Sequence, residues 1–359
     1  KLKKTIKIGL IGCGEIAQIM PLPYLAELDE FELWSLCNTS KKPLAFCAEK
    51  YGVPKERCYT DFADLIADPA LDAVLICSAD HYQPAMAAIA HGKHLFVEKP
   101  LAFNEAQAQA IVDGAKEKQL VLQVGYMKVY DPAFRFFAEK VASMKEITHV
   151  GVHNFCGDFG FMKEIYPMCK VSDITPEQQA ARDKARNEAV AAQIGTDDAY
   201  FAGPYMDLLL GTSHDTVLLR KLFGDLQVRY GDVDGSGTVL ATLETASGLR
   251  IAFEEGYIDQ RSVWDETISV WGPECRAVLE FPSPYLRNAP TLVHLNENDP
   301  GGANREQIIQ VSYEESFRCE WKAFAQSIFT GAVPESDGQG AVEDIRIASD
   351  IIKKAMLNR

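Results

Sequence analysis

With 359 residues, 47% of them hydrophobic and 24% charged, the chain is long enough for two domains and too ordinary in composition for a disordered, collagen-like or disulfide-scaffold protein. Thirty-six basic against 51 acidic residues leave a formal charge of −15, which argues against nucleic acid or an anionic membrane surface as partner. No apolar run approaches the roughly 20 residues of a membrane span. The cysteines at 13, 37, 47, 58, 77, 156, 169, 275 and 319 show neither pairing nor Cys-x-x-Cys spacing, and no secretory signal pattern precedes the first strand. A reduced, cytoplasmic protein is expected.

From Lys4 to about Gly125, short apolar runs alternate with helical patterns, which predicts a doubly wound α/β domain with a parallel sheet. Strands are expected at Ile6–Ile11, Leu33–Cys37, Ala73–Cys77, His94–Val97 and Val121–Val124. Helices are expected at Glu15–Glu27, Lys42–Tyr51 and Pro84–His91, the last stopped by Gly92. After Asp131-Pro132 the texture changes. A helix at Phe134–Val141 is followed by strand-like runs at His149–Phe155, Gly237–Leu243, Leu249–Phe253, Ile268–Trp271 and Ala277–Phe281, which imply an α+β domain with a large, mostly antiparallel open sheet. Thr175-Pro-Glu-Gln is a capping box with proline at the first helical position, opening an inserted exposed helix that runs to Gly195. Helical patterns at Phe317–Thr330 and Gly340–Leu357 close the chain. The expected division is 1–126 and 127–359, with an insertion at about 160–200 and the C-terminal helices packing back toward the first domain.

The run Gly12-Cys13-Gly14-Glu15-Ile16-Ala17 follows the first strand and opens a helix, the context a Gly-x-Gly-x-x-Gly/Ala dinucleotide fingerprint requires. Gly12 permits a tight turn, Gly14 lets the backbone approach a pyrophosphate, and Ala17 lets the helix pack closely. A carboxylate normally ends the second strand and holds the adenosine ribose. Here the strand runs into Asn38-Thr39-Ser40-Lys41-Lys42, whose hydroxyls, amide and lysines suit a 2′-phosphate better, so NADP is expected over NAD. No cluster of histidines and carboxylates has metal-ligand spacing, and no metal is expected.

The segment His91 to Ala102, centred on Glu98-Lys99-Pro100, resembles the Glu-Lys-Pro signature of the glucose–fructose oxidoreductase / inositol dehydrogenase / MocA family. The match extends through the opening glycine turn, Ser78-Ala79-Asp80-His81, Gln123-Val-Gly-Tyr126-Met-Lys128-Val-Tyr130-Asp-Pro, Trp271-Gly272 with Phe281-Pro282, and the C-terminal helices. This resemblance implies a Rossmann domain in which Glu98 and Pro100, often cis, shape the turn. Lys99 then orients substrate hydroxyls beside a nicotinamide, while Ser78, Ala79 and His81 join the cofactor site. Gly203 to Asp215 looks like the helix carrying the family's proton-transfer histidine, His214, whose ordinary pKa near about 6.5 suits that task. The family's aspartate four residues earlier is replaced by Leu210. Asp207 stands seven residues from His214, about 10.5 Å along a regular helix, and Asp215 is adjacent. Tyr126, Lys128, Tyr130 and His153 are candidates for the missing polar contact and, with Asp207, for the substrate pocket.

The resemblance implies an NAD(P)-dependent oxidoreductase acting on a hydroxyl or carbonyl carbon of a sugar, cyclitol or related polyol. Two other readings are an enzyme that keeps its nicotinamide bound and uses transient oxidation for elimination or glycoside cleavage, and a non-catalytic NAD(P) or metabolite sensor. A homodimer or homotetramer through the C-terminal sheet is also implied. The inserted helix is open to roles as oligomer arm, lid or solvated decoration.

Overall fold

The computed structural model describes residues 5–158, 160–261 and 263–359. By contact the chain divides into two compact units. The first holds residues up to Tyr126 with Tyr166–Gln193 and Glu320–Glu343, and the second Met127–Ile165 with Ile194–Cys319 and Asp344–Arg359. Two stretches beyond residue 126 therefore count with the first unit, one within the inserted region and one across the start of the C-terminal helices.

The strands are β1 (Ile6–Ile11), β2 (Phe31–Cys37), β3 (Cys58–Tyr59), β4 (Ala73–Ile76), β5 (His94–Val97), β6 (Leu122–Val124), β7 (His149–Asp158), β8 (Leu226–Val233), β9 (Val239–Thr245), β10 (Arg250–Arg261), β11 (Trp264–Trp271), β12 (Cys275–Phe281), β13 (Leu292–Asn298) and β14 (Asn304–Gln310). The α-helices are α1 (Glu15–Ile19), α2 (Pro21–Glu27), α3 (Lys41–Tyr51), α4 (Phe62–Ile66), α5 (Tyr82–Ala90), α6 (Glu105–Glu117), α7 (Pro132–Ser143), α8 (Gly160–Lys163), α9 (Pro176–Ile194), α10 (Ala199–Asp207), α11 (Ser213–Phe223), α12 (Ser316–Thr330) and α13 (Gly338–Leu357).

In the first unit six parallel strands run in the order β3-β2-β1-β4-β5-β6. The central strands are apolar and buried on both faces, as a parallel sheet covered on both sides demands. Trp321 of α12 stacks on Phe96 of β5 at 4.1 Å and meets Phe31 of β2 edge-on at 5.6 Å. Each such pair contributes about 0.5–1.5 kcal/mol beyond its buried area. The single helix expected at Glu15–Glu27 is two, because Pro21 has no N–H to continue α1 and instead opens α2 at its first position. The capping box forms as expected: Gln178 N–H donates to Thr175 Oγ1 at 3.2 Å, and Thr175 N–H donates to Gln178 Oε1 at 3.0 Å.

In the second unit eight strands run in the order β14-β13-β12-β11-β7-β10-β9-β8. All neighbouring pairs are antiparallel except β7 and β10, which are parallel. Strands β8, β13 and β14 lie outside the expected runs. A bulge between Val228 and Tyr230 breaks the alternation of β8, and β14 is an edge strand exposed at nearly every position.

Candidate active site

In the first unit a cleft of about 570 Å³ opens where β1, β2 and β4 end, the edge at which ligands bind in open α/β sheets. Gly12, Cys13, Gly14, Glu15, Asn38, Thr39, Ser40, Ser78 and Ala79 line it. Gly12 has φ +103°, and a Cβ there would come within 2.6 Å of the Cys77 and Ser78 backbone, so only glycine makes the turn. A Cβ on Gly14 would meet nothing within 4 Å, which leaves its backbone bare for close approach by a pyrophosphate. Asn38 stitches the turn to the next loop: its Oδ1 accepts from Cys13 N–H at 3.0 Å, and its Nδ2 donates to Ser40 O at 2.7 Å. The residues fit a dinucleotide.

Residues 169–174 run along the same cleft. The Gln18 amide donates to Cys169 O at 3.0 Å and accepts from Cys169 N–H at 2.9 Å. At the other end of this strap, Ser40 Oγ donates to Asp173 Oδ1 and Lys41 N–H donates to Asp173 Oδ2 at 3.2 Å. Arg182 of α9 donates from Nη2 to Thr39 Oγ1 at 2.8 Å and also lines the cleft.

Ile16, Lys41, His81, Glu98 and Lys99 are not among the lining residues of this cleft. Glu98 and Lys99 follow β5, and the Lys99–Pro100 peptide is cis. Burial pushes the Glu98 carboxyl up to about 7 despite the opposing charge of Lys99. It rests on Gly125, where a Cβ would lie 2.9 Å from Oε2. His81 sits at the start of α5 with Nδ1 2.7 Å from Pro100 O, and burial lowers its pKa so that the imidazole is neutral. Tyr126, buried, ends the first stretch of this unit.

In the second unit α10 does not run directly into α11. A π-turn over Leu208–Thr212 intervenes, a device frequent at functional sites. Its wider turn spreads the position one turn before His214 over Leu209 and Leu210, one buried and one exposed, and neither is polar. The hydroxyls of Thr212 and Ser213 donate to Leu208 O and Leu209 O, at 3.4 and 2.7 Å, where the helical ladder changes step. His214 and Asp215, both buried, open α11.

The sheet residues that meet this helix start stand out against their neighbours. Along most of the buried face the cross-strand rows are apolar, as in Phe253–Val152–Ile268–Leu279 and Ile251–Val150–Val270–Ala277. One row instead reads Glu255–Asn154–Glu266 across β10, β7 and β11. All three residues are buried. Asn154 Nδ2 donates to Asp215 Oδ2 at 2.7 Å, Trp264 Nε1 donates to Glu266 Oε2 at 3.0 Å, and the Lys128 ammonium pairs with Glu266 while lying 4.4 Å above the Phe281 ring. Burial and the nearby charge of Glu266 hold the Asp215 carboxyl well above the usual range, against the pull of Lys128. Burial thus favours the protonated form of Asp215, while Glu266 is paired with Lys128. Burial also pushes Glu255 up to about 8. Its Oε2 faces Gly211 in the π-turn, 3.9 Å from where a Cβ would stand.

The sequence candidates thus separate. Lys128 joins the polar row, and Tyr130 is buried on the same short 3₁₀ turn, Met127–Tyr130. His153 does not join it. One residue before Asn154 on a strand, it points to the opposite face, where Nδ1 lies 2.8 Å from Glu254 and Nε2 3.1 Å from Asp265. Asp207 is exposed just before the π-turn, so the regular-helix distance to His214 does not apply. Glu255 lies just past the expected strand Leu249–Phe253, yet alternation from Ile251 and Phe253 carries it onto the same buried face, and Asn154 and Glu266 are likewise in phase with Val152 and Ile268; this is the signal that could have found them.

Residues 6–126 match the model of a family described as "Oxidoreductase family, NAD-binding Rossmann fold" (GFO_IDH_MocA). The chain is 26% identical over 348 residues to the myo-inositol 2-dehydrogenase of Thermotoga maritima, covering 93% of this chain and 91% of that one. Its fold is similar to that of a 3-ketoreductase from Actinomadura kijaniata, solved with NADP and TDP-benzene, with TM-score 0.72, 18% identity and 96% of each chain covered. The aldose-aldose oxidoreductase of Caulobacter crescentus, solved with glycerol, gives TM-score 0.74 and 18% identity over 99% of each chain. Among the described residues no helix is long and apolar enough to cross a membrane.

Proposed function

The chain belongs to the glucose–fructose oxidoreductase / inositol dehydrogenase / MocA family of NAD(P)-dependent oxidoreductases, and from that premise we propose that it interconverts a secondary hydroxyl and a carbonyl on a sugar, cyclitol or related polyol. The observation that carries this reading is the glycine-turn cleft, whose bare Gly14 backbone suits a dinucleotide pyrophosphate. The names of the inositol dehydrogenase and ketoreductase relatives supply the substrate class.

A bound nicotinamide supplies the hydride donor or acceptor. Lys99, at the end of β5, holds and polarises the reacting oxygen. His214 takes the hydroxyl proton in oxidation and returns it in reduction. The Asn154–Asp215 hydrogen bond and the Lys128–Glu266 pair fix the start of α11, so that the imidazole is presented in one orientation.

Purified protein assayed with both nicotinamides against a polyol and keto-sugar panel tests this. Lys99→Met and His214→Ala should each lower turnover by about 10²–10⁴-fold while changing dinucleotide affinity less than about threefold. Near-normal turnover in both variants would remove the assignment.

A second reading, with the nicotinamide retained through turnover, is supported by the strap at 169–174, anchored at both ends along the cleft. Under it the purified protein carries cofactor and shows no net change at the reduced-nicotinamide absorbance during turnover.

Two further assignments belong to the same proposal. The lack of a disulfide among the described cysteines supports a reducing, cytoplasmic setting. The small side chains of Gly151, Ala252 and Ser269 on the outer sheet face, with exposed Leu240 and Trp271, support a homodimer or homotetramer through that face, which light scattering on the eluting protein would measure.

A further inference from the structure

Resting on the reading of the cleft as a nicotinamide dinucleotide site, we propose that Asp173 determines cofactor choice and holds the chain to NAD by occupying the anion-binding donors that a 2′-phosphate would need. Taken alone, the loop after β2 favours NADP, because Thr39, Ser40, Lys41 and the free amides of the first turn of α3 are phosphate donors. In the folded chain two of those donors are already taken. Ser40 Oγ and Lys41 N–H both donate to the Asp173 carboxylate, and Asp173 N–H donates back to Ser40 Oγ at 3.1 Å. An anion of the protein's own sits at the head of this loop.

These same bonds hold the Asp173 carboxyl below the usual carboxylate range, with the Ser40 hydroxyl the largest cause, which favours its charged form. The residue is also placed firmly. Its segment is clamped on one side by the reciprocal Gln18–Cys169 bonds and on the other by the Thr175–Gln178 capping box that starts α9. The neighbouring residues Ser172 and Ile174 line the cleft itself. A 2′-hydroxyl brings no charge to this place. A 2′-phosphate either displaces Asp173 from its donors or stands beside a like charge, a repulsive device of the kind that sets specificity. Arg182, bonded to Thr39, is the cation that would serve a 2′-phosphate once Asp173 were neutral.

Dissociation constants for NADH and NADPH, read from nucleotide fluorescence, test the proposal on the intact protein. Wild type should bind NADH at least about tenfold more tightly than NADPH. Asp173→Asn, nearly isosteric, and Asp173→Ala should tighten NADPH by about 10–100-fold and change NADH by less than about threefold. Retained NADH binding reports that each variant is folded. Adding Arg182→Ala to Asp173→Ala should remove most of the gain. NADPH binding as tightly as NADH to wild type, or an unchanged NADH-to-NADPH ratio in both single variants, would overturn the role of Asp173 and leave the nicotinamide reading standing. Failure of wild type to bind either dinucleotide would overturn the nicotinamide reading itself.

Discussion

The two units build their sites by different means. In the first, the cleft is largely a property of backbone: a glycine turn with φ +103°, the open face of Gly14 and a strand edge, with side chains closing its rim. In the second, the ground beneath His214 is made of side chains from four separate places, namely Lys128, Asn154, Asp215 and Glu266, each of which is costly to bury alone and tolerable only with the others. A backbone-built site should fail locally and mainly in binding. A site built from mutually dependent buried groups should fail in folding.

The sharpest way to break that contrast is Glu266→Ala. It leaves the Lys128 ammonium buried without its carboxylate and should destabilise the protein by about 3–5 kcal/mol. Lys128→Met with Glu266→Leu should recover most of that loss, since replacing a buried pair with apolar groups is often neutral or better. Denaturant midpoints would read both, and a small loss in the single variant would show that the row is not interdependent. In the first unit, Gly12→Ala forces a left-handed conformation on alanine and drives a Cβ into the Cys77–Ser78 backbone. It should cost about 1–3 kcal/mol and abolish dinucleotide binding, measurable by nucleotide titration.

A third test uses pH. Glu255 loses its proton at about 8 in the folded chain and near about 4.3 when unfolded. Between these values the folded state binds more protons, so stability is greatest at the acid end of the window and declines as pH rises through it. The slope contributed is at most about 1.4 kcal/mol per pH unit. Glu255→Gln should flatten the decline between pH 5 and 8 by that order. An unaltered profile would show that Glu255 titrates normally.

The first unit was the more legible in sequence for the same physical reason that separates the sites. The run Ala73–Ile76 is apolar at every position, and Ile6–Ile11 at all but Lys7, because both faces of these strands are buried, and the glycine fingerprint lies within six consecutive residues. The break at Pro21 was visible in the letters, yet the apolar periodicity on either side of it predicted one continuous helix. In the second unit β10 contains Glu254 and Glu255 side by side, and two consecutive charges read as the end of the strand at Phe253, although alternation from Ile251 and Phe253 sends Glu255 inward. The π-turn is similarly silent: Leu208 to Thr212 have an ordinary helical composition, and the extra residue shows only in the hydrogen bonds. Asp173 lies 133 residues from the Ser40 hydroxyl it accepts from, so the charge balance of the loop after β2 could not be computed from the loop.

The row Glu255–Asn154–Glu266 also acts on assembly of the sheet. Slipping β10 or β11 by one residue along β7 would turn a buried carboxyl outward and bring His153's neighbours inward. Slipping by two would keep the face but seat a carboxyl within an apolar row. Only one alignment of the three strands gives Glu266 its lysine and Asp215 its amide. In a sheet of eight strands whose remaining inner rows are interchangeable in chemistry, these three polar residues serve as a key that admits a single registration.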